Sequence, residues 1–352
     1  MQSDGVDQII EILRDDPSSI AAKSLIALSD PDRQATERLI SALRAVDFEY
    51  RRSITQQLVE LAEENLDYSF DRIFGALIDD EDEEVREAAI TGLWECEERG
   101  IIEPLLGRLQ TDSDDRVRAA AAQALGRFAM RAELGELLER DSARVREGLL
   151  DVIRNEQEPS FEVRRRVIEA VSAFTSEEVR ELILETYDSA NDVLRASALF
   201  AMGQNADATW LPYIREELES ESPEVRFEAA GAAGRMSDER LIPALARMAD
   251  EENSEVQDAV VTALSAIGGP VAQRVLRRFL QHSDEHYREL ALDALESMQS
   301  FAENADLLRR ASRDGADADG DALSPDDDVF ERYDDDLGID EELDDDPYDD
   351  EL

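Results

Sequence analysis

Six arginines recur at one register position along the chain: Arg86, Arg118, Arg164, Arg195, Arg226 and Arg288. A guanidinium keeps its charge and presents a planar fork that fits carboxylates. A column of six can therefore clamp an acidic peptide, or it can tie neighbouring segments together through acids of the chain itself. Acids for the second role stand six residues upstream of two members, Asp80 before Arg86 and Asp112 before Arg118, while Ser189, Ser220 and His282 fill that place farther on. The column is expected to be mainly structural, each Arg holding an acid at the start of its own or the adjacent first helix, with direct ligand binding as the competing reading. Gln257 replaces one member and supports neither reading. Arg164-Arg165-Arg166 is the densest basic spot, but Glu158, Glu162 and Glu169 surround it, which predicts a solvated ion-pair network.

Other reactive residues are few, with two His and one Cys in 352 residues. His282 and His286 have the i, i+4 spacing that binds zinc on a continuous helix, yet Ser283-Asp284-Glu285 between them reads as a loop and no third ligand is in view. Cys96 is expected on the first helix of its segment, near Trp94, as a small core residue. No His is near it in sequence, so nothing predicts a lowered thiol pKa. There is no Gly-rich phosphate loop and no Gly-x-Ser-x-Gly elbow. Asp317, Asp319 and Asp321 resemble the opening of a calcium loop with Asp328 at its twelfth place, but Ala322 stands where that loop needs glycine. The expectation is a chain without catalytic residues, metal or cofactor, and not an enzyme.

Composition sharpens this. The chain carries 86 acidic and 37 basic side chains, a formal charge of −49, which leaves little from which to build the basic face of a phosphate-neutralising nucleic-acid binder. The charge is uneven: residues 311–352 hold 20 acids against Arg313 and Arg332, a net −18, leaving −31 for residues 1–310. The first part, rich in Ala, Leu and Glu, suits helices. The second repels itself and cannot bury enough apolar surface to offset ordering entropy, so it is expected to be a disordered acidic tail with a boundary near Arg310. Phe330, Tyr333, Leu337, Ile339, Leu343 and Tyr348 alternate with its acids, a pattern that can fold onto a basic or apolar groove. No run approaches the ~20 apolar residues of a membrane span and no secretory leader opens the chain. A soluble, cytoplasmic protein is expected. Lys23 is the only lysine, and the acidity leaves a high-salt habitat open as its origin.

The elements that must position these residues come from internal repetition. A Val-Arg-like dyad recurs at Val163-Arg164, Leu194-Arg195, Val225-Arg226, Val256-Gln257 and Tyr287-Arg288, every step 31 residues. Upstream it returns at Val85-Arg86 and Val117-Arg118, 32 apart, with weaker forms at Tyr50-Arg51 and Ile20-Ala21. Between Val117 and Val163 the spacing breaks, and Val145-Arg146 falls too close to Val163 for a full repeat. An irregular unit with a shortened second helix is expected near 131–160. Val225, Ala229, Ala232, Ala233 and Met236 form the stripe of an amphipathic helix. A second helix follows, opened by Pro243, and Pro104 and Pro212 stand at equivalent places, where a missing N–H is harmless. Gly126, Gly203 and Gly234, nine positions after their dyads, would let helices approach closely, and Trp94 replaces that glycine in the repeat of Val85.

Asp112-x4-Val117-Arg118-x5-Ala124-Leu125-Gly126 and the later Leu241-Ile242-Pro243-Ala244-Leu245 resemble the short HEAT repeat of the phycobilisome-lyase-like type over most of residues 17–300. The resemblance implies an all-α, right-handed α-solenoid, a superhelix of about nine antiparallel helix pairs whose ends need caps. Asp7–Arg14 and Asn304–Arg310 are the expected caps. The same resemblance brings three activities to be weighed. HEAT-like deoxyhypusine hydroxylases hold two irons with repeated His-Glu pairs, and no such pair occurs here. A bilin lyase needs a tetrapyrrole pocket, for which no carboxylate is singled out. HEAT-like DNA glycosylases use a basic face, at odds with a net negative array. The function expected is a non-catalytic protein–protein interaction scaffold that presents a concave repeat surface to a protein or peptide. Its acidic tail would tune access or solubility; neither nucleic acid nor membrane is an expected partner.

Overall fold

The computed structural model describes residues 2–155, 160–248 and 251–316, with side chains between residues 5 and 300 of that set. The described residues are helical throughout, without a strand. They divide into two compact units, Met1–Asn205 and Ala206–Leu352.

In the N-terminal unit, α1 (Gln2–Asp15) and α2 (Arg33–Leu43) are joined by 3-10 turns at 17–19 and 22–28. Four helix pairs follow: α3 (Phe48–Glu64) with α4 (Asp71–Leu77), α5 (Glu83–Gly92) with α6 (Ile102–Thr111), α7 (Asp115–Glu133) with α8 (Glu139–Arg154), and α9 (Phe161–Val171) with α10 (Glu177–Tyr187). The first helix of a further pair, α11 (Asp192–Asn205), closes the unit. The C-terminal unit holds α12 (Leu211–Glu217), α13 (Pro223–Met236) with α14 (Ile242–Arg247), α15 (Ser254–Ile267) with α16 (Gly269–Phe279), and the 32-residue α17 (Glu285–Ala316). Within each unit the first helices of successive pairs pack on one another, α3 to α5 to α7 to α9 to α11 and α13 to α15 to α17, while second helices pack on second helices, as α6 on α8 and α14 on α16. This layering is that of an all-α solenoid. No single pair can bury its apolar stripe alone, so each repeat is stabilised by its neighbours.

The dyads mark the layer that does the burying. Val85, Val117, Val163, Val225, Val256 and Tyr287 are all within 1% of complete burial. Pro104, Pro212 and Pro243 lie in the first turns of α6, α12 and α14, each entered through a 3-10 turn. At the amino end α1 covers the first repeat with Val6, Ile9, Ile10 and Leu13 buried. Asn304–Arg310 continues α17 without turning back, and its side chains lie outside the described residues.

The irregular stretch is solved differently from the sequence expectation of a shortened second helix. α8 has 16 residues, the longest second helix, and Val145-Arg146 belongs to it and opens no new repeat. Val145, Leu149 and Val152 form its buried stripe, and Gly148 admits Leu106 of α6 so closely that a Cβ there would lie 2.4 Å from a Leu106 methyl. The extra residues lengthen α7 and α8, so the dyad spacing drifts while the layering persists. Ile20-Ala21 falls between the two 3-10 turns and marks no helix.

Gly234 confirms the expected close approach: a Cβ built on it would lie 3.0 Å from Ala263 Cα of α15, a backbone atom that cannot swing aside. At Gly126 the same atom would meet Ala170 at 3.4 Å. Alanine normally gains up to ~1 kcal/mol over glycine inside a helix, whereas overpacking costs about 1–3 kcal/mol. Gly234→Ala is therefore expected to lower the thermal midpoint and Gly126→Ala to leave it nearly unchanged or raise it, as read by circular dichroism. Equal behaviour of the two variants would remove the close-approach account.

Candidate interaction surface

Five first helices, α5, α7, α11, α15 and α17, are entered through a loop of one design. The residue six before the dyad's polar member takes a hydrogen bond from the backbone N–H two residues on: Asp82 N to Asp80 at 3.0 Å, Asp114 N to Asp112 at 3.0 Å, Asn191 N to Ser189 at 3.2 Å, Asn253 N to Glu251 at 3.0 Å and Asp284 N to His282 at 3.1 Å. That second residue caps the helix in turn, as Asp82 does for Glu84 and Val85. An N-cap side chain satisfies donors that the helix leaves orphaned.

The dyad's polar residue then grips this loop from behind. Arg86 Nη1 donates to the carbonyls of Asp80 and Glu81 at 2.9 and 3.0 Å, Arg226 Nη1 to those of Ser220 and Glu221 at 2.8 and 3.2 Å, and Arg288 Nη1 to those of His282 and Ser283 at 2.7 and 3.0 Å. Gln257 donates in the same way to the carbonyl of Glu251, and so keeps half of the arginine's role.

The guanidinium's other edge reaches forward. Arg86 forms a fork with both oxygens of Asp112, each at 2.8 Å, and Arg226 does the same with Glu251 at 2.7 and 2.9 Å. Arg51, from one of the weaker dyads, meets buried Asp80 at 3.4 Å. For these three arginines the acid is thus the one six residues before the next dyad, the adjacent first helix of the two places expected, and not the one six residues upstream in their own repeat. Asp80 gives Arg86 only its carbonyl. Sequence reasoning named the Tyr50-Arg51 dyad but left Arg51 out of the column, and it did not name Glu251; the readable signal was an acid six residues before a dyad, taken to serve the repeat before it.

The remaining members make other contacts. Arg118 donates to the Leu109 carbonyl at 3.1 Å and lies 3.4 Å from Asp115, Arg195 lies 3.6 Å from Asp192, and Arg164 is half-buried on α9. In register, Ser189 stands where a carboxylate would face Arg164. Arg165 and Arg166 do form the expected ion-pair network, holding Glu162 and Glu169 at 2.8–3.2 Å. 

Hydrogen bonds set the carboxylates' protonation. Arg86 and Arg108 hold Asp112, where burial acts to raise the pKa but the hydrogen bonds together outweigh it and leave it below the usual range. Arg226 lowers Glu251, and the bidentate Arg52 lowers Asp82.

Other sequence candidates separate. His282 receives the Asp284 N–H and stacks edge-on against Tyr287, while His286 approaches Asp258 at 3.0 Å. No group of three or more His, Cys, Asp or Glu among the described residues could hold a metal ion. Cys96 lies in the loop after α5 and not on a helix, because α5 stops at Gly92. It is buried as expected, and burial first, then Asp71 beside it, pushes the thiol up to about 11. The calcium-like loop and the tail residues Phe330, Tyr333, Leu337, Ile339, Leu343 and Tyr348 lie outside the described residues.

What the N-terminal unit leaves open is a groove of about 550 Å³ lined by Gly126, Arg127, Met130, Arg131, Gln204 and the acids Glu95, Glu97 and Glu136. Arg131 is braced by Glu136 at 3.1 Å and by the Glu97 carbonyl at 3.1 Å. Arg127 is half-buried on the same helix one turn earlier. Exposed apolar residues adjoin the lining in sequence: Trp94 at 42%, next to Glu95, and Leu134 at 66% and Leu138 at 49%, around the turn at Gly135. Such a mixed, open lining suits an extended peptide better than an enclosed small molecule.

No curated protein matches the chain in a sequence search. Solved structures of similar shape include the complex of CpcE and CpcF of phycocyanin lyase from Nostoc, 16% identical over 65% of this chain and 95% of that one with a TM-score of 0.45. Human deoxyhypusine hydroxylase is 19% identical over 85% and 97% with a TM-score of 0.33, and a Kap95:Nup1 complex is 15% identical over 87% and 47% with a TM-score of 0.46. The family model described as HEAT repeats matches residues 71–154 and 181–265, the stretches that carry the loop design and the forked arginines of α5 and α13. Over those two stretches the chain carries HEAT repeats.

Proposed function

We propose that this protein is a non-catalytic scaffold that binds a protein or peptide partner, with the N-terminal groove as a contact surface. The observation that carries the reading is the division of labour among its arginines. Arg86 and Arg226 are consumed between repeats, whereas Arg127 and Arg131 line an open groove beside exposed Trp94 and Leu134. Arginine and tryptophan are the residue types that dominate binding energy at protein interfaces.

The test is affinity purification with the full chain, with a form cut after Arg310, and with a Trp94→Ala/Arg127→Glu double variant. A partner retained by the wild type and lost, by about tenfold or more in affinity, from the double variant supports the groove; losses of that size are usual for hot-spot residues. A partner held equally by all forms would move the surface elsewhere, and no partner for any form would sink the scaffold reading. A partner retained only by the shortened form would assign the tail a masking role.

A further inference from the structure

This strongly acidic chain also contains a helix with no acid of its own. Residues 259–283 form a 25-residue stretch without Asp or Glu, in a sequence where 86 of 352 residues are acidic. This stretch contains α16, whose only charges are Arg274, Arg277 and Arg278. Elsewhere in the C-terminal unit Arg240 holds Asp238 at 2.6 Å and Arg247 holds Glu219 at 2.9 Å. Arg277 and Arg278 are exposed and make no hydrogen bond or ion pair among the described residues.

The position of α16 in the stack adds a second reason for an open face. α14 packs on one side of it. A regular array would place the second helix of the next repeat on the other side, but α17 runs on from Glu285 to Ala316 without turning back, so no such helix follows among the described residues. On α17, which packs against α16, Leu292 is 47% exposed.

We propose that the occupant of this face is the chain's own acidic segment, residues 326–352, held by Arg277 and Arg278. Its charge is complementary: 16 acids against the single Arg332, interspersed with Phe330, Tyr333, Leu337, Ile339, Leu343 and Tyr348. Guanidinium–carboxylate forks are the strong form of such pairing, and the aromatic residues would cover apolar surface such as that left at Leu292. Reach is not limiting. The 32 residues of α17 span about 48 Å at ~1.5 Å each, while the 36 residues from 317 to 352 extend to more than ~100 Å. Tethering also supplies an effective concentration near ~1 mM, so a site of only ~0.1 mM affinity stays about 90% filled. This inference is independent of the groove on the N-terminal unit.

The test uses the full chain. Arg332 is the only basic residue after 316, so trypsin cleaves that segment at one place. Docking predicts that Arg277→Gln/Arg278→Gln speeds cleavage after Arg332 by about tenfold, the protection that the effective concentration above implies, and that Arg277→Lys/Arg278→Lys restores most of the protection. Both sites are exposed, so the variants should fold, with circular dichroism as the check. Because Lys23 is the only native lysine, zero-length carbodiimide coupling in the Lys variant gives a direct map: crosslinks from positions 277 or 278 to acids in 326–352 of the same molecule are expected, and are lost in high salt. Equal cleavage rates in wild type and Gln variant would overturn the proposal. Crosslinks confined to acids of α15 and α17, or to a second copy, would do so too.

Discussion

Replacing Arg86 with alanine is expected to destabilise the protein by about 3–5 kcal/mol, the range found when one partner of a buried ion pair is removed. The side chains of Arg86 and Asp112 are 8% and 1% exposed, so the buried carboxylate left behind keeps only Arg108, at 3.2 Å, as a cation. Two carbonyls, those of Asp80 and Glu81, lose their donor as well. The effect is large because one side chain fastens the loop of its own repeat to the loop of the next, and a solenoid draws its stability from such interfaces. Arg288→Ala is the control. Arg288 grips its own loop through the carbonyls of His282 and Ser283 but has no forward carboxylate fork in view, so about 1–2 kcal/mol is expected from lost hydrogen bonds. Denaturant titration of both variants decides the matter. A loss below ~1 kcal/mol at Arg86 would mean that the fork is a bystander, whereas replacing Arg86 and Asp112 together by apolar residues should recover much of the loss.

The same pairs make the fold acid-labile, with a sign that can be worked out. Asp82, Asp112, Asp114, Asp238, Glu162 and Glu251 are all held below their ordinary pKa in the folded chain. A carboxyl with a depressed folded pKa contributes stability above its unfolded value, about 3.9 for Asp and 4.3 for Glu, and that contribution disappears as pH falls through the folded value. Asp71 and Glu87 run the other way: burial raises both, so their penalty at neutral pH is relieved on mild acidification. The formal charge of −49 acts in the same direction, because protonating exposed carboxylates reduces self-repulsion. Stability should therefore rise or hold from pH 7 to about 5 and fall steeply below about 4. Melting curves across this range are the measurement, and a thermal midpoint that keeps rising down to pH 3 would contradict the role given to the forks.

Much of the architecture was legible because repetition is written along the chain. The 31-residue step locates α9, α11, α13, α15 and α17, and Pro104, Pro212 and Pro243 mark α6, α12 and α14. Those signals are local, resting on the 3.6-residue period of buried positions and on where a helix tolerates a missing N–H. Legibility failed where length could be absorbed in two ways. The broken spacing between Val117 and Val163 could shorten a helix or lengthen a pair, and packing chose the second because Gly148 lets α8 lie close on α6. Cys96 was placed on a helix by analogy of register. α5 instead ends at Gly92, where a Cβ would lie 2.5 Å from the ring of Phe74.

The candidate site divides in the same way. That the arginines form a column, that they need acids, and that the Arg164-Arg165-Arg166 spot is neutralised by glutamates all follow from residue types and spacing. Which acid belongs to which arginine does not, because the partner is fixed by the offset between stacked repeats. Arg86 spans to Asp112, 26 residues on, and Arg226 to Glu251, 25 residues on, distances along the chain with no local meaning. The acid-free run from 259 to 283 was present in the sequence from the start, but only the unbroken course of α17 shows that, among the described residues, no successor follows to cover the helix it forms. The sequence by itself determined the repeat, its period and its charge; the tertiary structure alone decided which charges are spent between repeats and which remain exposed, since pairing depends on through-space distances that periodicity does not encode.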